Sequence, residues 1–424
     1  MRLADGTVGI ADALADPRLL RPDRYEELVS DLLPKCDDWA ILGHEFVYRR
    51  WLTPHQVNLL AAGRGAELIL GSYVLLEPIG EGGMGRIYRA RNWKFDSQAA
   101  VKVIRTDRAR DPAAVSRFLR EIRALGVIRH PHIVHALDAD VEGGRLYYAM
   151  EHVGGTDLGQ LLRDRGALPV ELAGRYAAQL ASGLQHISAL GLVHRDVKPC
   201  NILVTSDGSA VKLLDLGLAR FDRPEEDGGL TQVGMMIGTP DYVAPEQIRD
   251  SSGADIRADL YSLGCTLYHM LAGRPPFDGL DPVDKLYHQQ HVDPVPVEQV
   301  RPDVPARLAQ VVRTLLAKKA RDRYQDPAEV VAALGPYLQP TADTVTDAAA
   351  PTAPAVPVVS PDWALPRTEE IPIDRIPVMT PEQAEAALHP ATWKERAYHW
   401  LNRLHWLIAA VLAGLGMGLV LGRG

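Results

Sequence analysis

The chain has 424 residues, of which 46% are hydrophobic and 24% are charged, and its net charge is -8. This length suffices for two or three domains with a buried core, and the composition excludes a collagen-like or wholly disordered chain. The lack of a basic excess argues against nucleic acid as a partner. Three widely spaced cysteines, Cys36, Cys200 and Cys265, form no CxxC pair, which argues against a disulfide framework or a zinc ribbon.

Residues 1–71 are predicted to form a small helical extension. One helix has clear boundary signals, with Thr53 as N-cap, Pro54 at the first helical position, Gln56 completing a capping box and Gly63 as the stop. Two earlier stretches with apolar residues at helical spacing indicate two more helices. We expect their apolar faces to form a small core rather than a ligand site.

The pattern changes at Tyr73, where short runs rich in β-branched and aromatic residues begin. A long amphipathic helix and further helical stretches follow Gly155, so a sheet-rich lobe precedes a helix-rich lobe, which is α+β organisation. The predicted strands are Tyr73–Ile79, Arg86–Ala90, Ala99–Ile104, Ile133–Asp138 and Leu146–His152, and the first long helices are predicted at Asp111–Ile128 and Pro169–Leu190.

A glycine-rich string joins the first two predicted strands. It reads GxGxxG and comprises Ile79, Gly80, Glu81, Gly82, Gly83, Met84, Gly85, Arg86 and Ile87. Glycines let backbone N–H groups approach phosphate oxygens, but dinucleotide-binding folds use the same string. Those folds begin a helix at the glycines, whereas a strand is predicted here. The string therefore favours a phosphate-covering hairpin.

Lys102 follows Gly85 by seventeen residues, on the next predicted strand. A lysine that faces a glycine hairpin can neutralise phosphate charge, and it needs an anionic partner to hold it. Glu121, on the predicted helix, is the candidate partner. The alternative is that Lys102 is an ordinary solvated strand lysine.

The segment His194–Asn201 holds a general base, a cation and an amide within eight residues. Asp196 can accept the proton of an attacking hydroxyl, and Lys198 can stabilise a transferring phosphoryl group. Asn201 and Asp215 offer the hard oxygen ligands that Mg²⁺ prefers. The sequence therefore indicates phosphoryl transfer.

These motifs, in this order, resemble a eukaryotic-like serine/threonine protein kinase domain of the bacterial type over residues 73–338. The resemblance implies the bilobal kinase fold, with a small β-rich N-lobe at 73–153 and a larger helical C-lobe at 154–338. It also implies ATP with Mg²⁺, or Mn²⁺ in its place, and protein substrates. Further positions match by motif, and these are Met150, Glu151 and Val153 as gatekeeper and adenine-binding hinge, Arg195 before the base, Asp259 as the aspartate under the catalytic loop, and Glu246 with Arg323 as an ion pair.

One position departs from the family pattern, because Leu216 stands where the family has phenylalanine after the metal-binding aspartate. Leucine can still fill an apolar slot, so we expect Asp215 to retain its role. A catalytically silent scaffold is the rival interpretation, although no member of the catalytic set is missing.

The activation loop between Asp215 and Glu246 contains two serine or threonine hydroxyls, those of Thr231 and Thr239. Thr239 resembles the family's structural threonine that contacts the base. We therefore predict Thr231 as the autophosphorylation site, against the alternative that it stays unmodified.

The C-terminal region is predicted to hold a disordered Pro/Ala/Thr-rich linker at 339–380, a juxtamembrane helical segment at 381–405 and a transmembrane helix at 406–422. The last stretch is uncharged for seventeen residues, about 25 Å of helix. Ala410, Gly414, Gly418 and Gly422 recur every four residues, which predicts a face for homodimerisation. We expect a single-pass protein of the bacterial cytoplasmic membrane with a cytoplasmic kinase domain. The alternatives are a buried C-terminal helix of the globular part and a tail helix that docks on a partner.

Overall fold

The computed structural model describes residues 13–36, 38–82, 85–105, 112–216, 240–250 and 253–337. The chain separates into two compact units. The first contains the residues up to Ile69 together with Val74–Glu77, and the second contains Leu70–Tyr73 and the described residues from Pro78 onward. Each unit has its own apolar cluster.

The first unit is helical, as predicted. Its helices and turns are α1 (Pro22–Glu27), a π-helical turn (Leu28–Leu32), α2 (Trp39–Tyr48), α3 (Pro54–Ala61) and a 3₁₀ turn (Gly65–Leu68). The capping box predicted for α3 is present, since Thr53 Oγ1 accepts from the Gln56 backbone N–H and the Gln56 side chain accepts from the Thr53 N–H. The same two side chains donate to the carbonyls of Leu76 and Leu75. The cap of α3 therefore also binds the strand stretch that belongs to this unit.

A six-stranded sheet has the order β1-β2-β3-β4-β6-β5, and most of its residues belong to the second unit. Its strands are β1 (Ile69–Leu70), β2 (Tyr73–Gly82), β3 (Gly85–Asn92), β4 (Ser97–Ile104), β5 (Ala136–Glu142) and β6 (Arg145–Glu151), and helix α4 (Pro112–Leu125) lies between β4 and β5 in the chain. The strands from β3 to β6 pair antiparallel.

One predicted strand starts later than expected. The run predicted at Ile133–Asp138 enters the sheet only at Ala136. Its first residues pair elsewhere, because Val134 N donates to Leu213 O and Ile133 forms an isolated parallel bridge with Leu213. The apolar pattern identified an extended run but could not assign its partner.

The rest of the second unit is mainly helical. It comprises a three-stranded sheet of β7 (Gly155–Asp157), β8 (Ile202–Thr205) and β9 (Val211–Leu213), with helices α5 (Leu158–Arg165), α6 (Val170–Ala189), α7 (Pro245–Arg249), α8 (Ile256–Ala272), α9 (Pro282–His291), α10 (Val297–Val300), α11 (Ala306–Leu315) and α12 (Pro327–Ala333), and 3₁₀ turns at Pro199–Asn201, Ala320–Asp322 and Gly335–Tyr337. Helices α6 and α8 are largely buried. This arrangement, a sheet-rich lobe followed by a helical lobe, confirms the predicted α+β class.

Candidate active site

The catalytic segment is a loop that runs from the end of α6 to the 3₁₀ turn Pro199–Asn201. Asp259 of α8 anchors it, because the fully buried Asp259 carboxylate accepts the N–H groups of His194 and Arg195, each at 2.6 Å. Arg195 has a left-handed backbone with φ of 68°. A non-glycine residue in that region is strained, and such strain persists where surrounding contacts fix it. The buried acceptor on α8 therefore determines the path of the loop.

Burial raises the pKa of Asp259 to about 6, and the two N–H donors act in the opposite direction because they favour the carboxylate. The group is therefore ionised at neutral pH. Charge-assisted hydrogen bonds to an ionised acceptor are stronger than neutral ones. Asp259 thus lies under the catalytic loop, at the position that its sequence motif predicted.

The Asp196 side chain is oriented by two neighbours in the same loop. Asn201 Nδ2 donates to Asp196 Oδ2 at 2.7 Å and to its backbone carbonyl at 2.9 Å. Lys198 Nζ lies 2.8 Å from the same Oδ2. No described residue donates to the other carboxylate oxygen. One oxygen of Asp196 is thus fixed, and Oδ1 remains available to accept a proton.

The Lys102 side chain extends from β4 to Asp215, which lies two residues after the end of β9. Its Nζ lies 2.6 Å from Asp215 Oδ2, and the lysine is 6% exposed. Asp215 has a left-handed φ of 58°, so it too is held in a strained conformation by its surroundings. The predicted Lys102 partner, Glu121, lies within α4, but its side chain is not among those that the structure describes.

The pair Asn201 and Asp215 fits a Mg²⁺ site by its chemistry. Because both Asn201 amide hydrogens point at Asp196, its carboxamide oxygen is directed away as an acceptor. Asp215 adds a carboxylate, and Mg²⁺ takes one or two such protein oxygens together with phosphates. Among the described residues, no cluster of three or more His, Cys, Asp or Glu side chains could hold a metal. The described residues therefore fit a site in which two protein oxygens and phosphate oxygens would bind the ion together, not a site built from protein ligands alone.

The glycine-rich string forms the end of β2 and the start of β3. Described residues of this string from Gly80 to Gly82 are exposed or half-buried. Arg86 and Glu81 form an exposed ion pair at 3.1 Å. Ile87 lies opposite Lys102 in the β3–β4 register. Gly83 and Met84 fall outside the described residues.

The predicted hinge residues lie at the end of β6 and just after it, and β6 pairs with β4. Met150 is buried at 3% exposure and lies opposite Ala100. Glu151 does not present its side chain to a ligand, because its Oε1 accepts from Lys212 Nζ at 2.6 Å and from the His135 N–H at 3.0 Å. Val153 is half-buried. A role of Glu151 in nucleotide binding is therefore limited to its backbone.

Two further motif residues form a buried ion pair. Arg323 Nη1 and Nη2 donate to the two oxygens of Glu246 at 2.6 and 2.9 Å. Leu216, the residue that departs from the family pattern, is buried in the main apolar cluster. Apolar packing at this position is therefore retained with leucine.

Sequence reasoning missed Gln247, which follows Glu246 in α7. Its Oε1 accepts the Ala244 N–H at 3.1 Å, and its Nε2 donates to Arg195 O at 3.0 Å. This one side chain joins the segment around α7 to the catalytic loop. Its position three residues after Ala244, at the start of a helix, is a capping signal, but nothing in the sequence indicated the contact with Arg195.

Several predictions concern residues outside the described part of the chain. These are Thr231, Thr239, the linker 339–380, the segment 381–405 and the tail 406–422. In the described residues, which end at position 337, no helix is both long and apolar enough to cross a bilayer.

Comparisons with known proteins agree with the geometry. The family model for the protein kinase domain matches residues 73–333, more than half of the chain. A relative from Mycobacterium leprae, serine/threonine-protein kinase PknB, is 39% identical over 266 residues, which cover 62% of this chain and 42% of that protein. PknB of Mycolicibacterium smegmatis is 37% identical over 309 residues, 70% of this chain and 49% of the relative. The chain thus spans less than half the length of these curated relatives.

A solved structure shows the same fold. The kinase domain of Mycobacterium tuberculosis PknI is 30% identical, and the match covers 63% of this chain and 97% of that domain with a TM-score of 0.50.

Proposed function

The chain belongs to the protein kinase family, and we propose that it transfers the γ-phosphoryl group of ATP to serine and threonine hydroxyls of proteins. The named relatives PknB are serine/threonine-protein kinases. The observation that carries the proposal is the catalytic loop, in which Asn201 and Lys198 orient Asp196 and leave one of its oxygens as proton acceptor. A scaffold without activity would not need this arrangement.

The proposed transfer balances as a single in-line displacement. The substrate hydroxyl oxygen attacks the γ-phosphorus, its proton passes to Asp196 Oδ1, and the bond to the β-phosphate oxygen breaks to release ADP. Lys198, beside Asp196, stabilises the charge on the transferring group. Mg²⁺, which Asn201 and Asp215 would hold, supplies neutralisation of phosphate charge when bound. Positioning and electrostatics therefore account for most of the rate.

The nucleotide is proposed to bind between the glycine-rich string and the hinge. Lys102 is the cation for its phosphates, held in place by an acidic partner, either Glu121 or Asp215. Met150 and the backbone of Glu151 and Val153 would contact the base. The buried position of Lys102 supports this role, because a buried ammonium group is costly unless an anionic group pairs with it.

Regulation and location form a finer part of the proposal. We propose autophosphorylation at Thr231, with Arg195 as the residue that pairs with the phosphate. We also propose that the tail 406–422 anchors the protein in the bacterial cytoplasmic membrane and that its small-residue face supports dimerisation. The uncharged length of this stretch and the aromatic residues before it, Trp393, Tyr398 and Trp400, support the anchor.

Incubation with radiolabelled ATP tests the catalytic proposal. Purified wild type should label itself and an added protein, and Asp196→Asn should lower the rate by about 10²- to 10⁴-fold, the usual contribution of a general base. Asp164→Asn is the matched control, because Asp164 is an exposed helix residue and its loss should leave the rate unchanged. Equal labelling by wild type and Asp196→Asn would contradict the assignment.

Two further measurements test the finer statements. Mass spectrometry of active protein should find phosphate at Thr231, and a lack of phosphate there would exclude that site. Carbonate washing of membranes should leave the full chain in the pellet. Release into the supernatant would indicate that the tail docks on a partner instead.

A further inference from the structure

Helix α9 contacts residues 240–241 through two side chains. Lys285 Nζ lies 2.7 Å from Asp241 Oδ1, and Gln289 Nε2 donates to the backbone carbonyls of Asp241 at 2.7 Å and Pro240 at 3.2 Å. Positions four apart lie on the same face of a helix. One face of α9 therefore binds two consecutive residues, and we refer to Lys285 and Gln289 as the α9 clamp.

The amide of Gln289 has a single orientation, because a chain of donors behind it fixes the direction of every hydrogen bond. Lys318 Nζ can only donate, and it lies 3.0 Å from Tyr261 Oη. The tyrosine oxygen accepts this bond, so its own hydrogen is directed to Gln289 Oε1, at 2.5 Å. With Oε1 used as acceptor, the Gln289 NH₂ group must face the two carbonyls.

Two of these polar residues are fully buried, and Lys318 is half-buried. Gln289 and Tyr261 are both at 0% exposure. Lys318 packs with its Nζ 4.9 Å from the Phe277 ring centroid, and burial lowers the pKa of the lysine to about 8. Buried polar groups are costly unless they are hydrogen-bonded, and a fully satisfied buried network specifies one arrangement. The network therefore holds Gln289 in place.

The stretch that begins with the clamped residues reaches the catalytic loop. Ser262 Oγ donates to Tyr242 O at 2.7 Å. A few residues on, Gln247 Nε2 donates to Arg195 O at 3.0 Å. The stretch 240–247 is thus bound on one side to α9 and α8 and on the other to the loop that carries Asp196.

We propose that Gln289, oriented by Tyr261 and Lys318, is a positioning residue for protein-substrate binding, because it fixes the backbone at Pro240–Asp241, in the stretch whose Gln247 binds the catalytic loop. The inference rests on the proposed kinase function. The groups assigned to ATP lie on the six-stranded sheet and at its hinge, whereas the α9 clamp and its target lie in the helical lobe. Disturbing the clamp should therefore affect the protein substrate and spare ATP.

The kinetic test compares Gln289→Leu with Gln290→Leu in the full chain, with myelin basic protein as the probe substrate. Gln290→Leu makes the same chemical change at the next residue of α9. The hydrogen bonds of the Gln290 side chain to Arg249 and Leu286 are long, at 3.4 Å. In Gln289→Leu we expect KM for the protein to rise about five- to tenfold, with KM for ATP within about twofold of wild type. Gln290→Leu should match wild type. An unchanged KM for the protein in Gln289→Leu, or an equal rise in both variants, would overturn the proposal.

Hydrogen exchange separates this inference from the proposed function. The amides of 241–247 should exchange faster in Gln289→Leu than in wild type or Gln290→Leu, whether or not the chain transfers phosphate. If wild type shows no transfer, the kinase proposal and the substrate role of Gln289 fail together, whereas the exchange result still decides whether Gln289 fixes this backbone. Equal exchange in all three proteins would reject it.

A second variant covers the case in which Gln289→Leu does not fold. Lys285→Met removes the other half of the clamp, and the Lys285 side chain is 17% exposed, so water can hydrate part of the Asp241 carboxylate that the substitution leaves unpaired. It should raise KM for the protein and the exchange of 241–247 in the same direction. No change in either measurement would count against the clamp.

Discussion

Replacing Arg323 with methionine removes a guanidinium whose five N–H groups all have acceptors. Two donate to the Glu246 carboxylate, at 2.6 and 2.9 Å. The others donate to backbone carbonyls, namely those of Arg257 at 2.8 Å, Lys318 at 3.2 Å and Ala317 at 2.8 Å. The side chain is at 0% exposure. Arg323 therefore connects the start of α8, the start of α7 and the turn after α11.

The expected loss follows from what the substitution leaves behind. Removing one partner of a buried ion pair typically costs about 3–5 kcal/mol, because the remaining charge is stranded. The Glu246 side chain keeps 27% exposure, so water can hydrate part of its charge. The stranded carbonyls add a penalty of their own. We therefore expect Arg323→Met to lower the free energy of unfolding by about 3 kcal/mol, the lower end of that range.

Urea unfolding followed by far-UV circular dichroism measures this loss. The control is Arg313→Met, because Arg313 pairs with Glu298 at 2.9 Å but is 55% exposed. Exposed pairs contribute at most about 1 kcal/mol. A double-mutant cycle with Glu246→Met should give a coupling energy of at least about 2 kcal/mol for the buried pair. A loss in Arg323→Met no larger than that in Arg313→Met, or an additive cycle, would refute the reasoning.

Three further outcomes are expected. Gly264→Ala should lower the free energy of unfolding by about 1–3 kcal/mol, because its Cβ would lie 2.7 Å from Leu315 Cβ; thermal unfolding measures this, and Gly335→Ala, where nothing lies within 4 Å of the added atom, should be neutral. Asp259→Asn should cost about 2 kcal/mol in urea unfolding, because an amide accepts only one of the two loop N–H groups well; a loss near zero would show that the charge is not needed. The pKa of Lys318 is about 8 when folded and 10.5 ordinarily, so the unfolded chain binds more protons between these values. Wild type should therefore gain up to about 3 kcal/mol relative to Lys318→Met as pH rises through this window, and a flat difference would contradict the burial of that charge.

Much of the fold was predictable because its signals are local. The cap of α3 at Thr53 and Gln56 follows from spacing alone, and the strand with Lys102 and the long helix α6 follow from apolar periodicity. The extended run at Ile133–Asp138 was placed less well, because its first residues bind Leu213 rather than the sheet. An apolar sequence pattern predicts that a residue is buried, but it does not identify the residue that packs against it.

The sequence by itself indicated which residues are proposed to carry the chemistry of this protein. Asp196, Lys198 and Asn201 lie within one short loop, so their types and spacing were enough to indicate phosphoryl transfer. Tertiary structure alone decided which groups far apart in the chain come into contact. Lys102 meets Asp215, 113 residues away, and Gln289 meets a backbone carbonyl 48 residues away. Such contacts depend on how helices and sheets pack, and the buried donors and acceptors find their partners only when that packing has removed water.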